Sequence, residues 1–118
     1  MARKMLVLLA TDPERDTSRC EQALLLALNS HRTEILEEVR VMLFGDGVRI
    51  LDPSIDADAV FNDLITRLHK EGVEVVACTG NLVRHNLAEA ARRAAVAPAG
   101  AQVYVSARLT EDFAVVTF

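Results

Sequence analysis

The chain has 118 residues, the size of a single domain, and its composition is 51% hydrophobic and 25% charged. These proportions predict one packed domain over residues 1–118 and exclude a disordered chain. The formal net charge of −4 gives no support to a direct nucleic-acid surface. No apolar run approaches the roughly 18 residues that a membrane span requires.

The first half of the chain alternates apolar runs with helical patterns. The run KMLVLLA predicts a buried strand at 4–10. A helix is predicted over 16–29, because its apolar residues recur at spacings of three and four. These residues are Cys20, Ala23, Leu24, Ala27 and Leu28. Thr33 is a candidate N-cap for a short second helical piece. A second strand is predicted at 39–44, stopped by GDG, and a loop at 49–56.

The second half continues the alternation. A helix is predicted over 56–72, ended by Gly72. Its apolar stripe consists of Val60, Phe61, Leu64, Ile65 and Leu68. A third strand is expected at 73–78 and a third helix over 81–97, ended by Pro98 and Gly100. The runs at 101–106 and 113–118 are predicted as the last two strands.

Strands that alternate with helices favour parallel pairing and right-handed crossovers. The predicted fold is therefore α/β: a three-layer α/β/α sandwich with a mainly parallel sheet of about five strands. The connection between the last two predicted strands, ARLTED, is short for a parallel crossover. It leaves two alternatives open, a single helical turn or an antiparallel last strand.

The carboxyl ends of parallel strands meet at one edge of a sheet, where ligands bind in such folds. Three loops leave predicted strands at this edge: TDP, GDG and TGN. They bring together Thr11, Asp12, Asp46, Cys78, Thr79, Gly80 and Asn81. Free backbone N–H groups at a helix start can lower a thiol pKa from about 8.5 to roughly 3.5–7.5. Cys78 is therefore the candidate reactive residue, with the amides of Thr79, Gly80 and Asn81 as anion binders, and a core-filling cysteine is the alternative.

The remaining polar candidates each carry a structural alternative. Arg84 could steer an anion and His85 could shuttle a proton, although a surface position is favoured for both. Asp12 and Asp46 could be an acid–base pair or magnesium ligands, but DP and DG are turn signals, and the turn interpretation is favoured. Cys20 lies on an apolar helix face and is favoured as a core residue, with a resolving thiol as the alternative.

The motifs of several ligand-binding classes are missing from the sequence. There is no GxGxxG and no GxxxxGK[ST], so dinucleotide and P-loop sites lack their fingerprints. A phospho-acceptor receiver domain would need an aspartate after the third strand, where this chain has Cys78. Cys20 and Cys78 form neither a CxxC pair nor a zinc spacing. A disulfide between them is possible, but a reducing cytoplasm is the favoured location.

Three segments together resemble the DsrE/DsrF-like family, which includes sulfur-relay subunits: MLVLLATDPERDTSRCEQALLLAL, VRVMLFGDGV and GVEVVACTGNLVRHNL. The resemblance implies a five-stranded α/β/α fold that forms homo- or hetero-oligomers. It also implies that a cysteine at the end of the third strand, here Cys78, accepts persulfide sulfur and passes it to a partner protein. Some relatives have a second cysteine where this chain has Asn81, and many have Arg-Gly where it has His85-Asn86.

The leading hypothesis is a sulfur carrier, or sulfurtransferase, that uses Cys78 and requires no metal or organic cofactor. Its partners would be sulfur donor and acceptor proteins. The alternatives are a non-catalytic assembly subunit of the same fold and a small-ligand-binding domain that uses the same crevice.

Overall fold

A computed structural model describes residues 3–118 and contains a sheet of five strands that are all parallel. The spatial order of the strands is β4-β3-β2-β1-β5. The strands are β1 Lys4–Leu9, β2 Glu38–Leu43, β3 Glu74–Cys78, β4 Ala97–Ala99 and β5 Phe113–Thr117. The helices are α1 Thr17–Arg32, α2 Val60–Lys70, α3 Thr79–Arg84, α4 Ala88–Arg93 and α5 Ala101–Thr110, with a 3₁₀ helix at Gly45–Leu51.

The helices cover the two faces of the sheet unequally. Side chains from α1 to α4 and from the 3₁₀ helix bury one face, where they pack on Val7, Val41 and Val75. The other face carries a smaller cluster of Leu6, Met42, Val76 and Phe113, and α5 is the one helix among residues 3–118 that covers it. The sheet therefore lies between two helical layers, and the predicted three-layer α/β/α fold with about five strands is confirmed.

Helix α5 is attached differently from the other helices. None of its side chains is fully buried. Ala101, Tyr104, Val105 and Arg108 are partly buried and follow the i, i+3, i+4, i+7 spacing of one helix face. The guanidinium of Arg108 lies 4.6 Å from the ring centroid of Tyr104, and that of Arg40 lies 5.5 Å from the ring centroid of Phe113. Cation–π contacts thus supplement a small apolar interface.

The sequence prediction was wrong between residues 81 and 110. The single helix predicted over 81–97 is two short helices, α3 and α4, because the chain turns at 85–87, where Asn86 has a φ of 56°. Pro98 lies in strand β4 rather than beyond a helix. The strand predicted at 101–106 is the first part of α5. This helix is the crossover that brings β5 into parallel pairing with β1, so the antiparallel alternative is excluded.

Smaller corrections concern helix ends. Thr33 terminates α1, with its backbone N–H donating to Asn29 O, and no second helical piece follows it. Part of the loop predicted at 49–56 belongs to the 3₁₀ helix. Helix α2 starts at Val60, because the Asp56 carboxylate accepts the N–H groups of Phe61 and Asn62 in its first turn. Val60 itself is exposed and does not belong to the apolar stripe. Gly72, with a φ of 82°, follows the end of α2 as predicted.

Within residues 3–118, none of the helices combines the length and the apolar character that crossing a membrane would require.

Candidate functional site

Cys78 is the last residue of β3 and the N-cap residue of α3. The residue is partly exposed, and its thiol is free. Side chains alternate along a strand, so Cys78 follows Val76 onto the face that α5 covers, where it packs against the smaller cluster. Its pairing partner in β4 is Ala99, which lies two residues before the start of α5. Two helices therefore begin beside Cys78, each with backbone N–H groups that have no partner within the helix.

The three residues after Cys78 form the first turn of α3. Thr79 and Gly80 are exposed, and a Cβ added to Gly80 would meet no atom within 4 Å. The protein's own packing therefore does not require a glycine at position 80. Asn81 is partly buried, and its Oδ1 accepts the backbone N–H of Gly45 at 2.9 Å. This hydrogen bond ties the turn after β3 to the loop after β2.

The GDG loop has a fixed shape that follows from its two glycines. Gly45 has a φ of 56°, a left-handed conformation that glycine adopts without strain. A Cβ at Gly47 would lie 2.1 Å from the carbonyl oxygen of Leu9. Only a glycine at position 47 allows the 3₁₀ helix to approach the end of β1 this closely. The loop is therefore a rigid support for Asp46, which stands exposed between the two glycines.

The structure brings together two of the predicted rim residues, Asp46 and His85. Their Oδ1 and Nε2 atoms are 3.3 Å apart, and this contact links the end of α3 to the GDG loop. With the Asn81–Gly45 hydrogen bond, it fastens both ends of α3 to the same loop. Arg84, in the last turn of α3, is exposed.

Asp12 is part of an ion cluster at the end of β1. Its two carboxylate oxygens accept hydrogen bonds from Nη1 of Arg49 at 2.9 Å and 2.8 Å, and Oδ1 also accepts the N–H of Glu14 at 3.0 Å. Glu14 is a second partner of Arg49. Asp12 therefore caps its own turn and neutralises a cation. Arg49 was not predicted as Asp12's partner, because the segment that holds it was predicted as a loop and the contact joins residues far apart in the chain.

Cys20 occupies a different environment from Cys78. It is fully buried in α1, on the opposite face of the sheet, and its thiol donates to the carbonyl oxygen of Thr11 at 3.3 Å. Burial, together with the negative charges of Asp16 and Asp12, raises the pKa of Cys20 from 9.0 to about 11. The placement contradicts both a Cys20–Cys78 disulfide and a resolving role for Cys20, because the sheet separates the two sulfurs.

Comparison with known proteins agrees with this architecture. A model of the DsrE/DsrF-like family matches residues 3–118. The solved structure of BT1422, a conserved protein of unknown function from Bacteroides thetaiotaomicron, superposes with a TM-score of 0.78 at 15% identity, covering 98% of this chain and 95% of the other. The ychN protein of E. coli gives a TM-score of 0.70 at 18% identity, with coverages of 98% and 99%.

A third solved structure, MTH1491 from Methanobacterium thermoautotrophicum, is also described as a protein of unknown function. It gives a TM-score of 0.63 at 21% identity and covers 98% of each chain. No curated protein matches the chain significantly. The fold and the extent of the family match define the class of protein, an α/β protein with an all-parallel five-stranded sheet. The chain belongs to the DsrE/DsrF-like family.

Proposed function

We propose that the protein is a sulfur carrier that accepts persulfide sulfur on Cys78 and passes it to a partner protein. The observation that carries the proposal is the contrast between its two thiols. Cys78 is partly exposed at the carboxyl edge of the sheet, where α3 and α5 begin, whereas Cys20 is sealed in the core with a raised pKa. Of the two, only Cys78 is accessible to another molecule.

The proposed reaction is a transfer between thiols with no net oxidation or reduction. The Cys78 thiolate attacks the outer sulfur of a donor persulfide, R–S–SH. A new bond forms between Sγ and that sulfur, the donor's S–S bond breaks, and the donor leaves as a thiolate. In the second half, an acceptor thiolate attacks the outer sulfur of the Cys78 persulfide, which returns Cys78 to its starting state. Each half conserves atoms and electrons.

The residues around Cys78 would stabilise the anionic sulfur. In the proposed site, backbone N–H groups of Thr79, Gly80 and Asn81 bind the outer sulfur, since the first residues of a helix have unpaired donors. The open space above Gly80 leaves room for a bound group to approach the backbone. The His85–Asp46 and Asn81–Gly45 contacts hold this turn in place, and the exposed Arg84 steers negatively charged sulfur donors.

We further propose that the carrier works as an oligomer in a reducing cytoplasm. Two free cysteines are typical of that compartment. Several large apolar side chains are strongly exposed, among them Val83 in α3 and Val103 in α5. These two helices begin beside Cys78, so a partner protein that covers them would reach the thiol.

Mass spectrometry of the intact protein after incubation with glutathione persulfide tests the proposal. The native chain should gain the mass of one sulfur atom, and this gain should be lost on reduction with dithiothreitol. Cys78→Ser should not gain sulfur, whereas Cys20→Ser should gain it as the native chain does. Sulfur on neither cysteine, or sulfur that persists in Cys78→Ser, would refute the carrier assignment.

A further inference from the structure

The two edges of the sheet differ in how well they are protected. Strand β4 has three residues and contains Pro98, which has no N–H to donate. Strand β5 has five residues, Phe113 to Thr117, and contains no proline, glycine or charged residue. Within residues 3–118, no strand pairs with the outer side of β5. An unprotected edge of this kind is a template for another strand.

The hydrogen bonds of β5 show which of its residues face outward. Phe118 N–H donates to Leu8 O at 2.9 Å, and Phe118 O accepts the N–H of Ala10 at 2.8 Å. Backbone groups alternate in direction along a strand, so Val116 and Ala114 also face β1. The N–H and C=O groups of Phe113, Val115 and Thr117 therefore point away from the sheet.

We propose that the outer edge of β5 pairs with β5 of a second copy of this chain, in antiparallel orientation, with the two-fold axis at Val115. In this register Val115 faces its own copy, and Phe113 faces Thr117 of the other chain. Directly opposed residues of this type exchange two hydrogen bonds for each pair. The register thus satisfies every outward-facing backbone group of β5 and joins the two sheets into one.

The side chains fit a second copy of the same strand. On the α5 face, Val115 meets Val115, and Phe113 meets Thr117; on the other face, Ala114 meets Val116. None of these pairs is charged, so no like charges oppose each other across the axis. The pairing also closes on itself, because a two-fold interface uses the same patch on both chains. Growth into a filament would need the β4 edge, which Pro98 obstructs.

Sedimentation equilibrium of the native chain and of two variants at position 117 tests the interface. The native chain should have twice the 12.9 kDa chain mass. Thr117→Pro removes an outward N–H without affecting the bonds to β1, and should shift the dimer dissociation constant upward by at least tenfold. Thr117→Val keeps the backbone and should remain dimeric. Circular dichroism should show that all three chains are folded.

Cross-linking tests the register independently of Thr117→Pro. In the Cys78→Ser background, oxidation by diamide should join Val115→Cys into a covalent dimer, since Cα atoms of such a pair lie about 5.5 Å apart, within disulfide reach. Ala114→Cys, although more exposed, should not cross-link, because its copy lies diagonally at more than about 7 Å. A monomeric native chain, or an oligomer that neither Thr117→Pro weakens nor Val115→Cys cross-links, would overturn the proposal.

Discussion

We expect Gly47→Ala to be one of the most destabilising single substitutions in this protein. A Cβ at position 47 would lie 2.1 Å from the carbonyl oxygen of Leu9 and 2.8 Å from its carbonyl carbon. Both are backbone atoms of β1, so no side chain can rotate to make room. The 3₁₀ helix would have to move by about 1 Å to restore ordinary van der Waals separations.

The cost follows from what that movement disturbs. Gly47 N–H donates to Phe44 O at 2.9 Å, and Phe44 N–H donates to Leu9 O at 2.9 Å. Overpacking typically costs about 1–3 kcal/mol, and partial weakening of these two hydrogen bonds adds about 1 kcal/mol in total. The expected decrease in the free energy of unfolding is therefore about 2–4 kcal/mol, or a fall in Tm of about 8–16 °C for a domain of this size.

Urea denaturation followed by circular dichroism measures the effect, and Gly80→Ala is the matched control. Position 80 has open space around the added Cβ and helical neighbours, so alanine there should leave stability unchanged or raise it by up to about 1 kcal/mol. If the outer sulfur binds close to this backbone, Gly80→Ala should nevertheless slow the loading of Cys78. A Gly47→Ala variant within about 0.5 kcal/mol of the native chain would refute the steric argument.

Three further outcomes follow from the polar contacts and the thiols. The folded state keeps the Cys20 proton up to about pH 11, whereas the unfolded chain loses it near pH 9.0, so the free energy of unfolding should decrease as pH rises through this interval. Urea titrations at several pH values measure this decrease, and Cys20→Ala should make it smaller. Asn81→Ala leaves the Gly45 N–H without its partner and should lower the free energy of unfolding by about 1 kcal/mol, whereas Asn81→Asp, which keeps an acceptor, should lose less. Arg49→Ala leaves the Asp12 carboxylate without its cationic partner and should lower Tm, with Arg49→Lys intermediate; equal thermal unfolding of Arg49→Ala and the native chain would contradict this.

Much of the fold was predictable because buried parallel strands leave a strong signal in a sequence. A strand with a continuous apolar run needs helices on both faces of the sheet. The runs that form β1, β2, β3 and β5 are separated from their neighbours by segments that contain glycine, proline or acidic residues. The position of Cys78 at the end of such a run was therefore evident from the sequence. Its role as a sulfur acceptor remains a prediction.

The segment from Ala97 to Thr110 was not predictable by the same reasoning. Val103 and Val105 favour a strand locally, and the three-residue strand β4 is too short to show a pattern. The helix forms because a parallel β5 requires a crossover, and because no other helix in the described part of the chain covers the far face of the sheet. The helical spacing of Ala101, Tyr104, Val105 and Arg108 indicates this helix only weakly, since Arg108 is not apolar.

The sequence by itself determined the alternation of strands and helices, the parallel sheet and the thiol at the carboxyl end of β3, because these depend on hydrophobic patterns between neighbours in the chain. Only the tertiary structure decided that Cys78 and Cys20 lie on opposite faces of the sheet, that Arg49 binds Asp12 and that no strand within residues 3–118 pairs with the outer side of β5. These features join residues distant in the chain, and the packing of whole elements, rather than any local preference, determines which of them meet.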